Sequence, residues 1–392
     1  MERPNVSIVG SGHTKFGRLE AQSLEDLIVT AGREAIGTAG VAPGDIDATF
    51  LGHFNSGLVP DGFASSLIHQ IAPELRFKPA TRLENACASG SAAVFAGITA
   101  IQAGQAEVVL VVGVEKMTSR SNADVTKALT GAGYQNDADE AQLSFPQVFA
   151  IAAGDYAARY RDPLESMAKI AAKNHQNALR NPLAQMHKSL DFETCNTVSD
   201  QNPLIAPPLR LTDCSPVTDG AAAVILASAE RAKQFQREVE FRSLSHVSDL
   251  LPLSAHDFVA FEGPEKAITC ALQDGDIVVD DLDFAEVHDC FTIAELLIYE
   301  AMGLARRGEG HRVIEDGTVY RGGALPVNLS GGLKAKGHPV GATGVSMLAM
   351  AFRQLTGTAG DLQLPSPTLG LVFNMGGAGV ANYASVLEAK RA

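Results

Sequence analysis

The sequence is written twice, and that repetition narrows the possible folds more than any other feature. Residues 43–55 read PGDIDATFLGHFN and residues 279–291 read VDDLDFAEVHDCF. Each is an acidic turn, an Asp-Ile-Asp or Asp-Leu-Asp step, a short strand and a polar loop. A unit that recurs along a chain is one supersecondary design used again. A helix is expected before each copy. In the first half Leu24, Leu27, Ile28, Ala31, Ala35 and Ile36 keep a 3.6-residue period behind Ser23 as N-cap, and Pro264 to Leu272 matches it in the second. Further on, each half has a loop that opens a helix. The first is Asn85 to Gly90, leading into 92–103 and stopping at Gly104; the second is Gly337 to Gly344, leading into 345–355 and stopping at Gly357. Each helix runs on to an almost wholly apolar segment, 108–114 and 369–373, which reads as a strand buried on both faces. A Gly-led strand then closes each half, 220–226 and 379–387. Alternating strands and helices predict an α/β protein of two similar halves packed together.

Between 114 and 220 lie about a hundred residues without a counterpart in the second half. The predicted division is 1–118 and 209–235 for the first half, 119–208 for an inserted loop domain, and 236–392 for the second half. The insert should hold a helix over 163–180, with Asp162 as N-cap, Pro163 in the first turn and Glu165 completing a capping box. It also carries Lys169, Lys173, His175, Arg180, His187 and Lys188. These basic groups read either as a solvated helix face or as part of a site for an anionic ligand.

The formal net charge of −14 disfavours nucleic acid as a partner, since that needs a concentrated basic face. No run approaches the roughly 18 apolar residues of a membrane span. The N-terminus passes from Met1-Glu2-Arg3-Pro4 straight into Val6 to Val9, so no signal peptide is expected. The last residues, 389–392, do not form a peroxisomal address. The cysteines at 87, 195, 214, 270 and 290 include no C-x-x-C pair. Neither a disulfide framework nor a zinc site is expected, and a reducing cytoplasm suits free thiols.

Chemistry is expected where the two halves meet. Cys87 stands in a small-residue loop running into a helix, whose N-terminal partial charge and free amides favour a thiolate. A lone Cys is as readily a buried filler. Bringing a thiol from about 8.5 to about 7 takes roughly 2 kcal/mol, which a helix end and a nearby histidine would supply. His338 lies at the matching helix start of the second half, in Gly337-His338-Pro339-Val340-Gly341-Ala342-Thr343-Gly344. If the halves are related by a pseudo-twofold axis, Cys87 and His338 converge as nucleophile and base. His288-Asp289-Cys290-Phe291 ends a strand before a helix that Thr292 and Glu295 should cap, and adds a second thiol and imidazole. Gly376-Gly377 offers backbone amides, or only a tight turn. His53, at the mirror position of the His288 loop, either borders the pocket or is structural. Gly10-Ser11-Gly12 lacks the dinucleotide spacing, and 332–337 resembles a phosphate loop with His338 where Lys is needed.

Five motifs, NACASG, VVGVEKM, DCSPVTDGAAAV, EVHDCF and GGLKAKGHPVGATG, occur in the order found in the thiolase superfamily. The chain resembles that superfamily over its whole length. It is most similar to the sterol-carrier-protein type and to prokaryotic acetoacetyl-CoA thiolases. The resemblance implies a five-layer αβαβα fold with a covering loop domain, a homodimer or homotetramer, acyl-CoA and free coenzyme A as substrates, and no permanently bound cofactor or metal. It implies an acyltransferase that cleaves or forms the carbon–carbon bond of a 3-oxoacyl-CoA. Cys87 would carry the acyl group. His338 would activate it and help line a first oxyanion hole, and the amides of Cys87 and Gly376 would form a second. Common thiolases carry a catalytic Cys where this chain has Asn374, and an Asn-Glu-x-Phe motif where it has residues 288–291. The sterol-carrier arrangement therefore implies Cys290 as acid/base and His288 as an oxyanion donor. No appended sterol-carrier domain is expected. Some prokaryotic relatives work with a small zinc-ribbon/OB-fold partner. Two other readings remain: a decarboxylating ketosynthase-like enzyme using Cys87, His288 and His338, and a non-catalytic thiolase-like subunit.

Overall fold

A computed structural model of the chain describes residues 3–390; residues 1–2 and 391–392, which entered the signal-peptide and peroxisomal readings, lie outside them. The first half holds β1 (Val6–His13), α1 (Leu24–Ala39), β2 (Ala48–Gly52), β3 (Ala80–Leu83), α2 (Ser89–Gln102) and β4 (Val108–Glu115). The insert follows, with α3 (Asn122–Thr130), α4 (Phe145–Arg159), α5 (Leu164–Ala178), α6 (Phe192–Asn196) and a hairpin of β5 (Leu204–Ala206) and β6 (Leu209–Arg210). β7 (Gly220–Ser228) then completes the first half, and the short α7 (Ala229–Ala232) leads out of it. The second half holds β8 (Val239–Ser248), α8 (Glu262–Asp274), β9 (Phe284–Val287), α9 (Thr292–Ala301), α10 (His311–Glu315), α11 (Thr343–Leu355), β10 (Leu369–Gly376) and β11 (Ala381–Ala389).

The strand order is β3-β2-β4-β7-β1-β8-β11-β10-β9. Read outward from its middle, the order is the same on both sides. β1 and β8 are the first strands of the halves, and they pair antiparallel through only Ser7↔Glu240 and Ile8↔Val239. β7 and β11 come next, then β4 and β10, then β2 and β9, each of the last pair running parallel to its inner neighbour. β3 lies outside β2, and a parallel bridge from Val327 to Ala285 takes the same place outside β9. The repeat seen in the sequence is therefore a repeat of topology.

Each strand of the first half divides its side chains between two cores, as a two-residue period requires. In β4, Val108, Leu110, Val112 and Val114 join α1 on the outer face, while Val109 and Val111 face the central layer. That central layer is α2 and α11, held between the two half-sheets. Its members are apolar nearly all round, as helices buried on every side must be. α8 and α9 cover the second half. The layers thus run α, β, α, β, α, as expected.

The two central helices touch at their N-terminal turns, where glycine faces glycine. A Cβ on Gly90 would stand 2.8 Å from the Gly341 carbonyl oxygen and 3.0 Å from the Val345 nitrogen. One on Gly344 would stand 2.5 Å from the Ser91 nitrogen. This contact sets how closely the loops before the helices approach.

Local signals held in part. Ser23 caps α1 with a full capping box to Asp26. Asp162 Oδ1 accepts the Leu164 amide at 2.9 Å, but Glu165 closes no box and pairs with Lys169 at 2.7 Å. Thr292 and Glu295 do not cap α9: Thr292 donates to Asp213 at 2.8 Å, and Glu295 is buried against Lys173 at 2.8 Å. The Glu295 carboxylate is taken up by the buried ammonium of Lys173 and so is not available to the helix end. Gly10 and Gly12 lie in β1 and let α1 pack on it, so they serve packing and not a phosphate. Among the described residues no helix is long and apolar enough to cross a membrane.

Gly344→Ala should lower stability by about 1–3 kcal/mol through overpacking. Gly154→Ala, in α4 with no atom within 4 Å of the added carbon, should be neutral or stabilise by up to about 1 kcal/mol. Urea unfolding midpoints check the pair; equal midpoints for Gly344→Ala and wild type would rule out the tight crossing.

Candidate active site

The loop before α2 places Cys87 by a strained turn. Ala86 has a φ of 49°, a left-handed conformation that costs a residue with a Cβ roughly 1–2 kcal/mol. Hydrogen bonds hold it there. The Ala86 amide donates to Glu84 Oε1 at 2.6 Å, and the Ser89 hydroxyl donates to the Ala86 carbonyl at 2.6 Å while accepting the Asn85 amide at 2.8 Å. Cys87 is left half-buried just ahead of the helix.

The second half brings the other groups through Asp289. Its buried carboxylate accepts the amides of Leu333 at 2.6 Å and Lys334 at 3.2 Å, and the Asn174 side-chain amide at 2.7 Å. The segment resembling a phosphate loop is thus a buried turn, 332–336, whose amides bind a carboxylate of the chain itself. This ties residues 288–290 to the residues leading into His338. On the far side Glu115 accepts the amides of Phe54 at 3.0 Å, Asn55 at 3.1 Å and Gly341 at 3.1 Å, joining the first half to the His338 loop.

Proton positions follow from hydrogen-bond roles. Thr343 Oγ1 lies 3.1 Å from the Pro339 carbonyl, to which it can donate, and 2.7 Å from His338 Nδ1, an arrangement that suits a proton on Nδ1. Nε2 of His338 then carries the lone pair. For His288 the assignment is reversed. The Ser91 hydroxyl donates to Asn374 Oδ1 at 2.8 Å, which turns the Asn374 amide nitrogen toward His288 Nδ1 at 2.8 Å. Nδ1 of His288 is an acceptor, so its proton is on Nε2. That Nε2–H is buried and has no partner among the described residues. A buried orphan donor is costly unless a ligand oxygen meets it. Here it lies beside His338, the two rings edge to face with centroids 5.1 Å apart.

Cys87, Cys290 and His338 line one cavity of about 150 Å³ with Met117, Val125, Leu129, Phe145, Phe291 and Val340. His288 sits behind the lining. Gly377 lines the cavity and its backbone hydrogen-bonds the Cys87 sulfur. Gly376, one residue earlier, is not in the lining and packs against the Asn85 carbonyl. A third thiol that sequence reasoning passed over also faces the space. Cys214 is drawn in by a bridge to Phe291 and by the Ser215 amide donating to the Cys290 carbonyl at 2.9 Å. The signal was present, since Cys214 stands inside DCSPVTDGAAAV.

Every ionisable group of the cavity is held neutral. Burial pushes the Cys87 thiol up to about 12, against the pull of the Gly377 and Cys87 amides. The expected lowering toward 7 does not occur in the resting site, because desolvation outweighs a helix end. Burial and the Cys87 neighbour hold Cys290 well above its ordinary range. Burial, and then Lys336, lowers His338 to about 3; burial and His338 lower His288.

The remaining candidates lie elsewhere. His53 is fully buried, 3.3 Å from Glu115, and is structural. None of the basic residues of the insert lines the cavity. Lys169 pairs with Glu165, Lys173 is buried on Glu295, His175 meets the Lys188 carbonyl, His187 the Asn181 carbonyl, and Arg180 lines a separate cavity with Glu286 and Arg353. Lys169 and Lys173 thus serve the fold's own carboxylates, while Arg180 and Lys188 are exposed away from the cavity lining.

Comparison with known proteins identifies the family. The thiolase N-terminal domain matches residues 6–203 and the thiolase C-terminal domain-like family matches 245–389. The chain belongs to the thiolase family. It is 38% identical to an acetyl-CoA acetyltransferase of Methanothermobacter thermautotrophicus over 96% of this chain and 97% of that protein. It is 32% identical to sterol carrier protein 2 of Oryctolagus cuniculus over 96% of this chain and 71% of that protein. Human mitochondrial 3-ketoacyl-CoA thiolase in complex with CoA has the same fold, with a TM-score of 0.74 at 20% identity over 98% of each chain. The Ltp2-ChsH2(DUF35) aldolase superposes with a TM-score of 0.84 at 24% identity over 100% of this chain and 99% of that chain. The protein is a thiolase, an acyltransferase.

Because His338 is already neutral far below pH 6.5, acidification should not remove the base until well under the usual histidine range. A pH profile of kcat/KM for acylation should lack an acid limb near 6.5. A limb there that moves downward in Lys336→Met would contradict the assignment, since removing a neighbouring cation can only raise His338.

Proposed function

We propose that the chain performs thiolysis of a 3-oxoacyl-CoA, and the reverse Claisen condensation, through an S-acyl-Cys87 intermediate. The observation that carries this reading is the single cavity shared by Cys87, Cys290 and His338, with the unpartnered Nε2–H of His288 behind it. In the cleavage direction Cys87 Sγ attacks the 3-keto carbon while its proton passes to His338 Nε2. The bond between C2 and C3 breaks, and its electron pair becomes the enolate of acetyl-CoA. His288 Nε2–H donates to the enolate oxygen, and Cys290 gives its proton to C2, releasing acetyl-CoA. Coenzyme A then attacks the Cys87 thioester, its thiol proton returning to Cys290, and His338 gives its proton back to the Cys87 sulfur. The amide of Cys87 and an amide of the 376–377 turn stabilise the tetrahedral oxyanions. A low-dielectric site suits this scheme, because charge exists only in transit and fixed donors then act at full strength.

Several finer assignments belong to the same proposal. Coenzyme A is cosubstrate and no cofactor is held permanently, as the names of the acetyltransferase relatives suggest. Residues 119–208 act as the covering loop domain, supported by the cavity lining contributed by α3 and α4. A homodimer or homotetramer is supported by Phe63 and Phe77, 81% and 86% exposed in the segment leading to edge strand β3. A small zinc-ribbon/OB-fold partner is supported by the pairing named for the Ltp2 aldolase. A reducing cytoplasm suits five free cysteines.

Incubation with acetoacetyl-CoA and free coenzyme A should deplete the 3-oxoacyl absorbance, and mass spectrometry should locate the acyl group on Cys87. Cys87→Ala should abolish both. Cys290→Ala should still acylate at Cys87 but turn over roughly 10²–10⁴-fold more slowly. Condensation that survives Cys290→Ala and consumes malonyl thioesters would make the protein a decarboxylating ketosynthase. A wild-type chain that never acylates would make it a non-catalytic subunit.

A further inference from the structure

The catalytic cavity has a neighbour. A smaller cavity of about 20 Å³ is lined mostly by apolar groups, among them Ala132, Leu143, Val148, Leu253, Ala378 and Val380. Three chain segments run from one cavity to the other. Leu129 faces the first and Ala132 the second; Pro146 the first and Leu143 the second; Gly377 the first and Ala378 the second. One residue, Phe145, lines both. Its position is set firmly. It opens α4 behind Ser144, whose amide donates to Gln147 Oε1 at 2.9 Å in a capping box, and Pro146 fixes the next φ.

We propose that Phe145 is the specificity-determining wall that confines this enzyme to short 3-oxoacyl-CoA substrates, of the acetoacetyl class, and that the cavity behind it is the path a longer acyl chain would take. The inference rests on the thiolase reading above and adds the substrate class. An apolar cavity of about 150 Å³ elsewhere accommodates one benzene ring, six heavy atoms. An acetoacetyl group, four carbons and two oxygens, matches that size. A longer straight chain must displace the Phe145 ring, which packs half-buried against the main core. Beyond Phe145 the lining is mostly apolar, its one carboxylate, Glu140, being held by the Tyr134 amide at 2.9 Å and the Leu253 amide at 2.6 Å, and the smaller cavity shares Glu140, Leu143, Val148 and Leu253 with a larger open cleft.

The test compares thiolysis of 3-oxoacyl-CoA esters of four, six, eight and ten carbons in wild type, Phe145→Ala, Phe145→Leu and Phe145→Ala/Ala132→Leu. Wild type should favour the four-carbon ester. Phe145→Ala should raise the eight-carbon to four-carbon ratio of kcat/KM by about tenfold or more, the scale at which apolar pockets discriminate methylene groups. Phe145→Leu should fall between, and refilling the second cavity with Ala132→Leu should reverse the gain. Acetyl transfer to Cys87 in each variant shows that the site is intact. An unchanged chain-length profile in a variant that still acylates overturns the role of Phe145 and leaves the thiolase reading standing. A wild type that cleaves no 3-oxoacyl-CoA at all overturns the thiolase reading itself. Should Phe145→Ala fail to fold, the profile of Phe145→Leu alone decides.

Discussion

The close crossing of α2 and α11 is the constraint on which the site depends. Two helices from opposite ends of the sequence meet at Gly90 and Gly344, where backbone touches backbone. Side chains of any size would hold the loops ahead of them apart. Because the helices start here, Cys87 precedes one and His338 the other, and the two converge. The same contact places Ser91 against Asn374, and Asn374 against His288. A packing requirement in the central layer thus becomes a catalytic geometry.

The site works by holding protons in defined places, with no standing charge. His338 keeps its proton on Nδ1, facing a Thr343 hydroxyl that can donate elsewhere, and His288 keeps its proton on Nε2 because Asn374 occupies Nδ1. The two imidazoles are chemically identical, and one becomes an acceptor and the other a donor through their neighbours alone. Asn374 orients His288, and Cys290 supplies a second thiol to the cavity beside Cys87. Desolvation keeps both thiols protonated at rest.

The insert contributes more to the architecture of the site than its exposed position in the sequence suggests. Asn174 donates to both Asp289 at 2.7 Å and Glu295 at 2.6 Å, and Lys173 meets Glu295 at 2.8 Å and the Val327 carbonyl at 2.8 Å. Removing either partner would strand a buried charge, typically at a cost of about 3–5 kcal/mol. This network fixes α5 against the turns that carry His288 and Cys290.

Much of the architecture was legible because duplication and burial leave marks in one dimension. The matched segments at 43–55 and 279–291, the apolar strands at 108–114 and 369–373, and the loop-to-helix junctions at Cys87 and His338 all fell in equivalent places of the two halves. The five ordered motifs pointed to the family, and four of the site residues lie together as expected. Other features depended on neighbours distant in sequence. Cys214 enters the cavity only through its bridge to Phe291. Glu295 reads as a helix cap until Lys173 appears beside it. Asp289 reads as one more loop acid until the turn at 332–336 folds onto it, and Gly377 came to face the sulfur where Gly376 was expected. The sequence by itself determined the duplicated α/β layers and which residues could react, since periodicity and local turn chemistry are properties of the chain. Tertiary structure alone decided the protonation of those residues, the orientation of their donors and the size of the space they share, because desolvation and hydrogen-bond direction are set by atoms that come together only on folding.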